Sequence, residues 1–123
     1  GTVKANEFIY NSDKDLKEDI NSVKDSLSKV LSLEGITYNW KENGEADVGL
    51  LAQDVYQEFP ELVATDEGGN PEGVSYAKLT APLIEAIKQQ QEQIDALKEK
   101  NKKQQQQINE LRTEIEEIKN QIK

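Results

Sequence analysis

The chain has 123 residues, a formal net charge of -9, and neither cysteine nor histidine. This excludes disulfides, thiolate chemistry and metal held by Cys or His, and it removes the commonest general base near neutral pH. The acidic balance argues against nucleic acid as a partner, no apolar run is long enough for a membrane span or a signal peptide, and no cofactor is expected.

The opening run, GTVKANEFIY, reads as a cut from something longer, and residues 1–12 are expected to be an extended remnant of an upstream region. From Ser12 onward, Leu16, Ile20, Val23, Leu27 and Val30 recur every three or four residues, which predicts one apolar stripe of a helix. Ser12 or Asp13 would cap it, Asp13 and Asp15 suit the positive end of its dipole, and Gly35 ends it. Ile36 to Lys41 alternates and is β-rich, Asn43-Gly44 signals a tight turn, and Asp47 to Leu51 is the return strand. Gln53 to Phe59 reads as a short helix stopped by Pro60, and Leu62-Val63 as a short strand. Thr65 to Gly73 reads as a loop containing Pro71, and Val74-Ser75-Tyr76 as a last strand. Tyr38, Trp40, Tyr56 and Phe59 are expected in the core. Asp54, Glu58 and Glu61 read as a solvated face rather than a cation site.

The remainder, residues 80–123, carries a heptad repeat. Position a holds Ile87, Ile94, Asn101, Ile108, Ile115 and Ile122, and position d holds Leu83, Gln90, Leu97, Gln104, Leu111 and Ile118. An unbroken repeat over about five heptads predicts a left-handed coiled coil. Ile at a with Leu at d, and Asn101 at a, favour two strands. Ile118 at d and the glutamines Gln90 and Gln104 at d suit three. Glu114 at g lies five residues before Lys119 at e, the spacing for contact between parallel neighbours. The repeat leaves dimer and trimer both open.

A resemblance narrows this. The pieces that carry it are, in order, Ser12-Asp13-x-x-Leu16-Lys17-x-x-Ile20; Gly35-Ile36-Thr37-Tyr38-x-Trp40-Lys41; Val48-Gly49-Leu50-Leu51-Ala52-Gln53-Asp54-Val55; Phe59-Pro60-Glu61-Leu62-Val63; and Val74-Ser75-Tyr76-x-x-Leu79-x-x-Pro82-Leu83-Ile84-x-Ala86-Ile87. Together, over about residues 12–97, they resemble the endosialidase-type intramolecular chaperone domain. That domain ends phage tail spikes, tail fibres and neck appendages, and a relative occurs in a membrane-tethered animal transcription factor. The resemblance implies a homotrimer, a head at residues 13–79 that templates an upstream β-rich shaft of the same polypeptide, and self-cleavage between Ser12 and Asp13. It further implies a Ser/Lys dyad of Ser12 and Lys17, action in the host cytoplasm during virion assembly, and release from the mature fibre. Many members carry Arg where this chain has Asp15, so no role is assigned to a basic residue there.

A serine hydroxyl is a poor nucleophile until a base takes its proton. Free lysine titrates near about 10.4, so a lysine base must be buried or placed beside positive charge. Lys14 is a cationic neighbour, but Asp13, Asp15, Glu18 and Asp19 pull the other way. Burial in the assembled trimer must then do the tuning, and cleavage is expected to be slow or absent in the monomer. In a continuous helix capped by Ser12, Lys17 would lie roughly 140° around the axis. Either the chain bends at the junction or Lys17 acts on a neighbour's Ser12, and the second is the expectation. Attack by Ser12 on its own carbonyl would form a strained four-membered lactone, and attack on the preceding carbonyl would cut before Ser12. A neighbour's Ser12, or a water activated by the dyad, avoids both.

The expected fold is therefore α+β, a small helix-and-hairpin head followed by a long C-terminal helix in a parallel trimeric coiled coil. Its seam is Leu83, Ile87, Ile94, Leu97, Asn101, Ile108, Leu111, Ile115, Ile118 and Ile122. The expected function is a self-releasing intramolecular chaperone. The rivals are a permanent trimerisation or attachment module, with Ser12 only a helix cap, and a binding module whose head recognises a partner.

Overall fold

The computed structural model describes residues 1–122. It is α+β, with two small hairpins followed by one long helix. A 3-10 turn at Lys14–Leu16 precedes α1 (Ser26–Leu31), β1 (Ile36–Asn39), β2 (Ala46–Gly49) and α2 (Ala52–Glu58). A second 3-10 turn (Pro60–Leu62) leads to β3 (Val63–Thr65) and β4 (Pro71–Val74), and a third (Tyr76–Leu79) leads into α3 (Thr80–Ile122). The expected helix reached Lys123, which lies outside the described residues.

The helix expected from Ser12 to Gly35 does not form as one piece. Between the first 3-10 turn and α1 the chain is irregular, with Asp19 at φ 52° and Asp25 at φ 56°, both left-handed. Such residues interrupt a right-handed helix, and aspartate enters this region more readily than most side chains. The apolar period runs on through this stretch, but Leu16 and Ile20 stay 75% and 68% exposed, Ile20 only bordering a shallow groove beside Ala81 and Ile84 of α3. Only the end of the stripe, Leu27 and Val30, packs inward.

The first hairpin pairs Ile36 with Gly49 and Asn39 with Ala46. Gly44 sits at φ 73° in its turn, the left-handed position the Asn43-Gly44 pair was expected to supply. Trp40 Nε1–H donates to Asp47 Oδ2 at 3.1 Å, and Tyr38 and Trp40 meet edge to face with centroids 5.1 Å apart. The Val48 N–H and the Trp40 indole together hold the Asp47 carboxyl below the usual carboxylate range. The return strand ends at Gly49, two residues earlier than expected. A side chain at 49 would strike the Tyr76 hydroxyl, with a Cβ only 2.5 Å from it, so glycine lets the tyrosine approach. That hydroxyl accepts the Leu50 N–H at 2.9 Å and ties the hairpin to the base of α3.

In the second hairpin Pro71 belongs to strand β4 rather than to the loop, paired with Thr65 beside a β-bulge. Proline is tolerated there as the first residue of an edge strand. The expected strand at Val74–Tyr76 is displaced accordingly, and Tyr76 starts a 3-10 turn instead.

The core is small. Val55, Phe59 and Leu62 are buried, and Val30, Leu33, Leu50, Val63, Val74 and Leu79 pack around them. Of the four aromatics expected inside, only Phe59 is buried. Trp40 is 51% exposed and Tyr56 41%, while Tyr38 is half-buried. A two-stranded hairpin with no layer over its outer face cannot cover its own aromatics. α1 packs along the first part of α3, where Ala86 is buried and Gln89 Oε1 accepts the Leu27 N–H at 2.7 Å. That side chain caps a helix whose own N-cap, Asp25, makes no side-chain bond.

Candidate functional site

The site begins at a three-residue turn. Asp13 is its N-cap, and Asp13 Oδ1 accepts the Asp15 N–H at 3.0 Å. The Leu16 N–H donates to Asp13 O at 3.1 Å and the Lys17 N–H to Lys14 O at 3.0 Å. Lys17 then leaves in extended conformation, at φ -123° and ψ 149°. The turn reverses the chain, and Lys17 Nζ donates to Ser12 Oγ at 2.7 Å.

The helical geometry expected for this pair is thus corrected. Ser12 is not the cap, because Asp13 holds that place. The chain bends at the junction, so Ser12 and Lys17 of one chain meet without a neighbour. At 3.6 residues per turn the two would lie on different faces, but this segment leaves helical geometry after three residues.

Ser12 and Lys17 open onto a cleft of about 1080 Å³. Tyr10 and Asn11 line it from the upstream side, and Phe59, Pro60 and Leu62 from the end of α2 and the turn after it. Ala81 and Pro82 close it from the start of α3. Lys24, Lys29 and Lys78 also face it, with Glu58 and Glu61. Lys29 Nζ lies 5.6 Å from the centroid of the Phe59 ring, within cation–π reach. No motif marks these lysines. They come from three separate segments, and only the fold gathers them. In this chain the residues around the pair, from Gly1 to Asp25, are all exposed.

Residues 12–64 match the model of a peptidase family, S74, described as the chaperone of endosialidase. This stretch, somewhat under half of the chain, is similar to the endosialidase-type chaperone domain. The match starts at Ser12, the residue Lys17 touches, and ends within β3. It takes in the turn, α1, the first hairpin and α2, and it stops before α3. No curated protein matches the chain.

Beyond the matched stretch lies the heptad stripe of α3, a helix of 43 residues. Leu83, Ile87, Ile94, Leu97, Ile108, Leu111, Ile115, Ile118 and Ile122 are all exposed along it, as is Asn101. Lys119, expected to reach Glu114 of a neighbour, lies 3.8 Å from Glu116 of its own helix. Among the described residues no cluster of acidic side chains has the makings of a metal site, and no helix is long and apolar enough to cross a membrane.

Proposed function

We propose that this chain is a C-terminal intramolecular chaperone. It trimerises through α3, folds an upstream β-rich phage shaft of the same polypeptide in the host cytoplasm, and then releases itself by one cut between Ser12 and Asp13. The observation that carries this reading is the 2.7 Å contact between Lys17 Nζ and Ser12 Oγ, at the first residue of the family match.

The chemistry follows from that contact. With Lys17 neutral the bond reverses, and the Ser12 hydroxyl donates to the amine. Because Ser12 cannot attack its own carbonyl without forming a four-membered ring, water is the nucleophile. Its oxygen adds to the Ser12 carbonyl carbon, and its proton passes through the hydroxyl to Lys17. The tetrahedral intermediate collapses, the C–N bond breaks, and the Asp13 nitrogen takes the proton from the Lys17 ammonium. One water is consumed, and once the new carboxyl proton passes to the amine, a Ser12 carboxylate is left on the shaft and an α-ammonium at Asp13. Lys24, Lys29 and Lys78 outnumber Glu58 and Glu61 among the residues lining the cleft, a balance that suits the oxyanion formed on the way.

Chaperoning fits the same architecture. Three shaft strands seeking register pay a large loop-closure cost, and prior assembly of the rod raises their effective concentration. Cutting afterwards leaves the shaft kinetically trapped in its folded form. One feature favours the rival, a trimerisation module that stays attached: the pair is open to water in a single chain. Intact mass of the domain fused to more of its native upstream chain, beside Ser12→Ala, separates the two. A fragment beginning at Asp13, absent from Ser12→Ala, is the expected result. Two full-length products that remain assembled would establish the permanent module.

A further inference from the structure

The self-release reading leaves unexplained what the residue on the leaving side of the bond contributes. Ser12 and Lys17 meet only because the chain turns between them. That turn is three residues long, and Leu16, its one large apolar side chain, is 75% exposed. Packing does not hold it. A short 3-10 turn has poor hydrogen-bond geometry and gains little from propagation. What closes it is the Asp13 carboxylate, which accepts the Asp15 N–H at 3.0 Å. The two backbone bonds that follow, from Leu16 and Lys17, complete the reversal that returns Lys17 Nζ to Ser12 Oγ.

We propose that Asp13 is a positioning residue for the cut. Its carboxylate works as a cap that folds Lys17 back onto Ser12, and it exchanges no proton in the reaction. The requirement at this position is then a short side chain with an acceptor oxygen, not a negative charge. This rests on the self-release reading, but the turn itself is independent of it.

The test is a series at position 13 in the full chain with its upstream segment. Asn and Ser cap nearly as well as Asp, whereas Ala lacks an acceptor and Glu sets its charge one carbon too far. Asp13→Asn and Asp13→Ser are expected to cut within about twofold of wild type. Asp13→Ala and Asp13→Glu are expected to slow about fivefold, the ordinary worth of a helix cap. The pH profile of Asp13→Asn keeps the wild-type shape. The proposal is overturned if Asp13→Ala cuts at the wild-type rate, if Asp13→Glu outperforms Asp13→Asn, or if Asp13→Asn loses an acid limb of the profile. If wild type is not cut at all, the self-release reading fails and the turn is read by NMR. A nuclear Overhauser contact between the Ser12 β-protons and the Lys17 ε-protons is then expected in wild type and Asp13→Asn and lost in Asp13→Ala. Its persistence in Asp13→Ala overturns the cap.

Discussion

The head and the rod of this chain treat their apolar side chains in opposite ways. Every buried residue lies between Ser26 and Ala86, where segments far apart in sequence close on Val55, Phe59 and Leu62. Beyond Ala86 none of the described residues is buried, although the isoleucines and leucines of the heptad stripe continue to Ile122. The head satisfies a small core from within one chain. The rod presents a regular seam that one chain leaves empty. The difference separates apolar side chains satisfied within the chain from apolar side chains that the chain leaves exposed.

The strongest way to break the comparison from the head side is Phe59→Ala. Removing a buried phenylalanine costs about 3–5 kcal/mol, which a core of three buried residues cannot absorb. Hydrogen exchange should show the hairpins and α2 unprotected, while sedimentation still finds an assembled species held by α3. Joint loss of both would mean that rod assembly depends on the head.

A smaller effect sharpens the picture inside the head. Gly49→Ala places a Cβ 2.5 Å from the Tyr76 hydroxyl and should destabilise by about 1–3 kcal/mol, the usual range for overpacking. Tyr76→Phe alone loses the bond from Leu50 N–H, worth about 1 kcal/mol. Because the phenylalanine also removes the clashing oxygen, the double variant should cost less than the sum of the two. A denaturant-based double-mutant cycle reads this, and strict additivity would show that the two residues do not meet.

The smallest effect belongs to Asp66. Its carboxylate is held below the ordinary range, first by the Asn70 N–H and then by further bonds from Asn70, Gly68 and Gly69. A depressed folded value means the stabilisation is fully present above the unfolded value, near about 3.9, and is lost as pH falls through the folded one. Asp66→Ala should therefore differ from wild type at pH 6, with the difference shrinking as the solution is acidified below about pH 4. A difference that grows on acidification would contradict the sign.

What could be read in the sequence follows the same division. The heptad stripe was legible because it is local and periodic. The first hairpin was legible because Asn43-Gly44 specifies its turn. The segment after Ser12 was misread because its period is genuine while its backbone is not helical. Asp19 and Asp25 break it, and Leu16 and Ile20 stay largely exposed. The placement of Ser12 against Lys17 depended on that misread segment, so spacing alone set them apart. Resemblance named the pair, and the capped turn accounts for their contact. The lysines of the cleft left no local trace, since Lys24, Lys29 and Lys78 come together only by tertiary folding.

The central claim is that the cut belongs to the assembled chain. Replacing Ile108 and Ile115 together by Asp puts charge into the seam far from α1 and the cleft, so the rod should fail while the head stays folded. The decisive measurement is the rate at which a fragment starting at Asp13 accumulates from this variant, beside wild type, with the mass of each species followed by light scattering. The account predicts that wild type assembles and cuts, whereas the variant is monomeric and stays whole. A monomeric variant that cuts at the wild-type rate would contradict it.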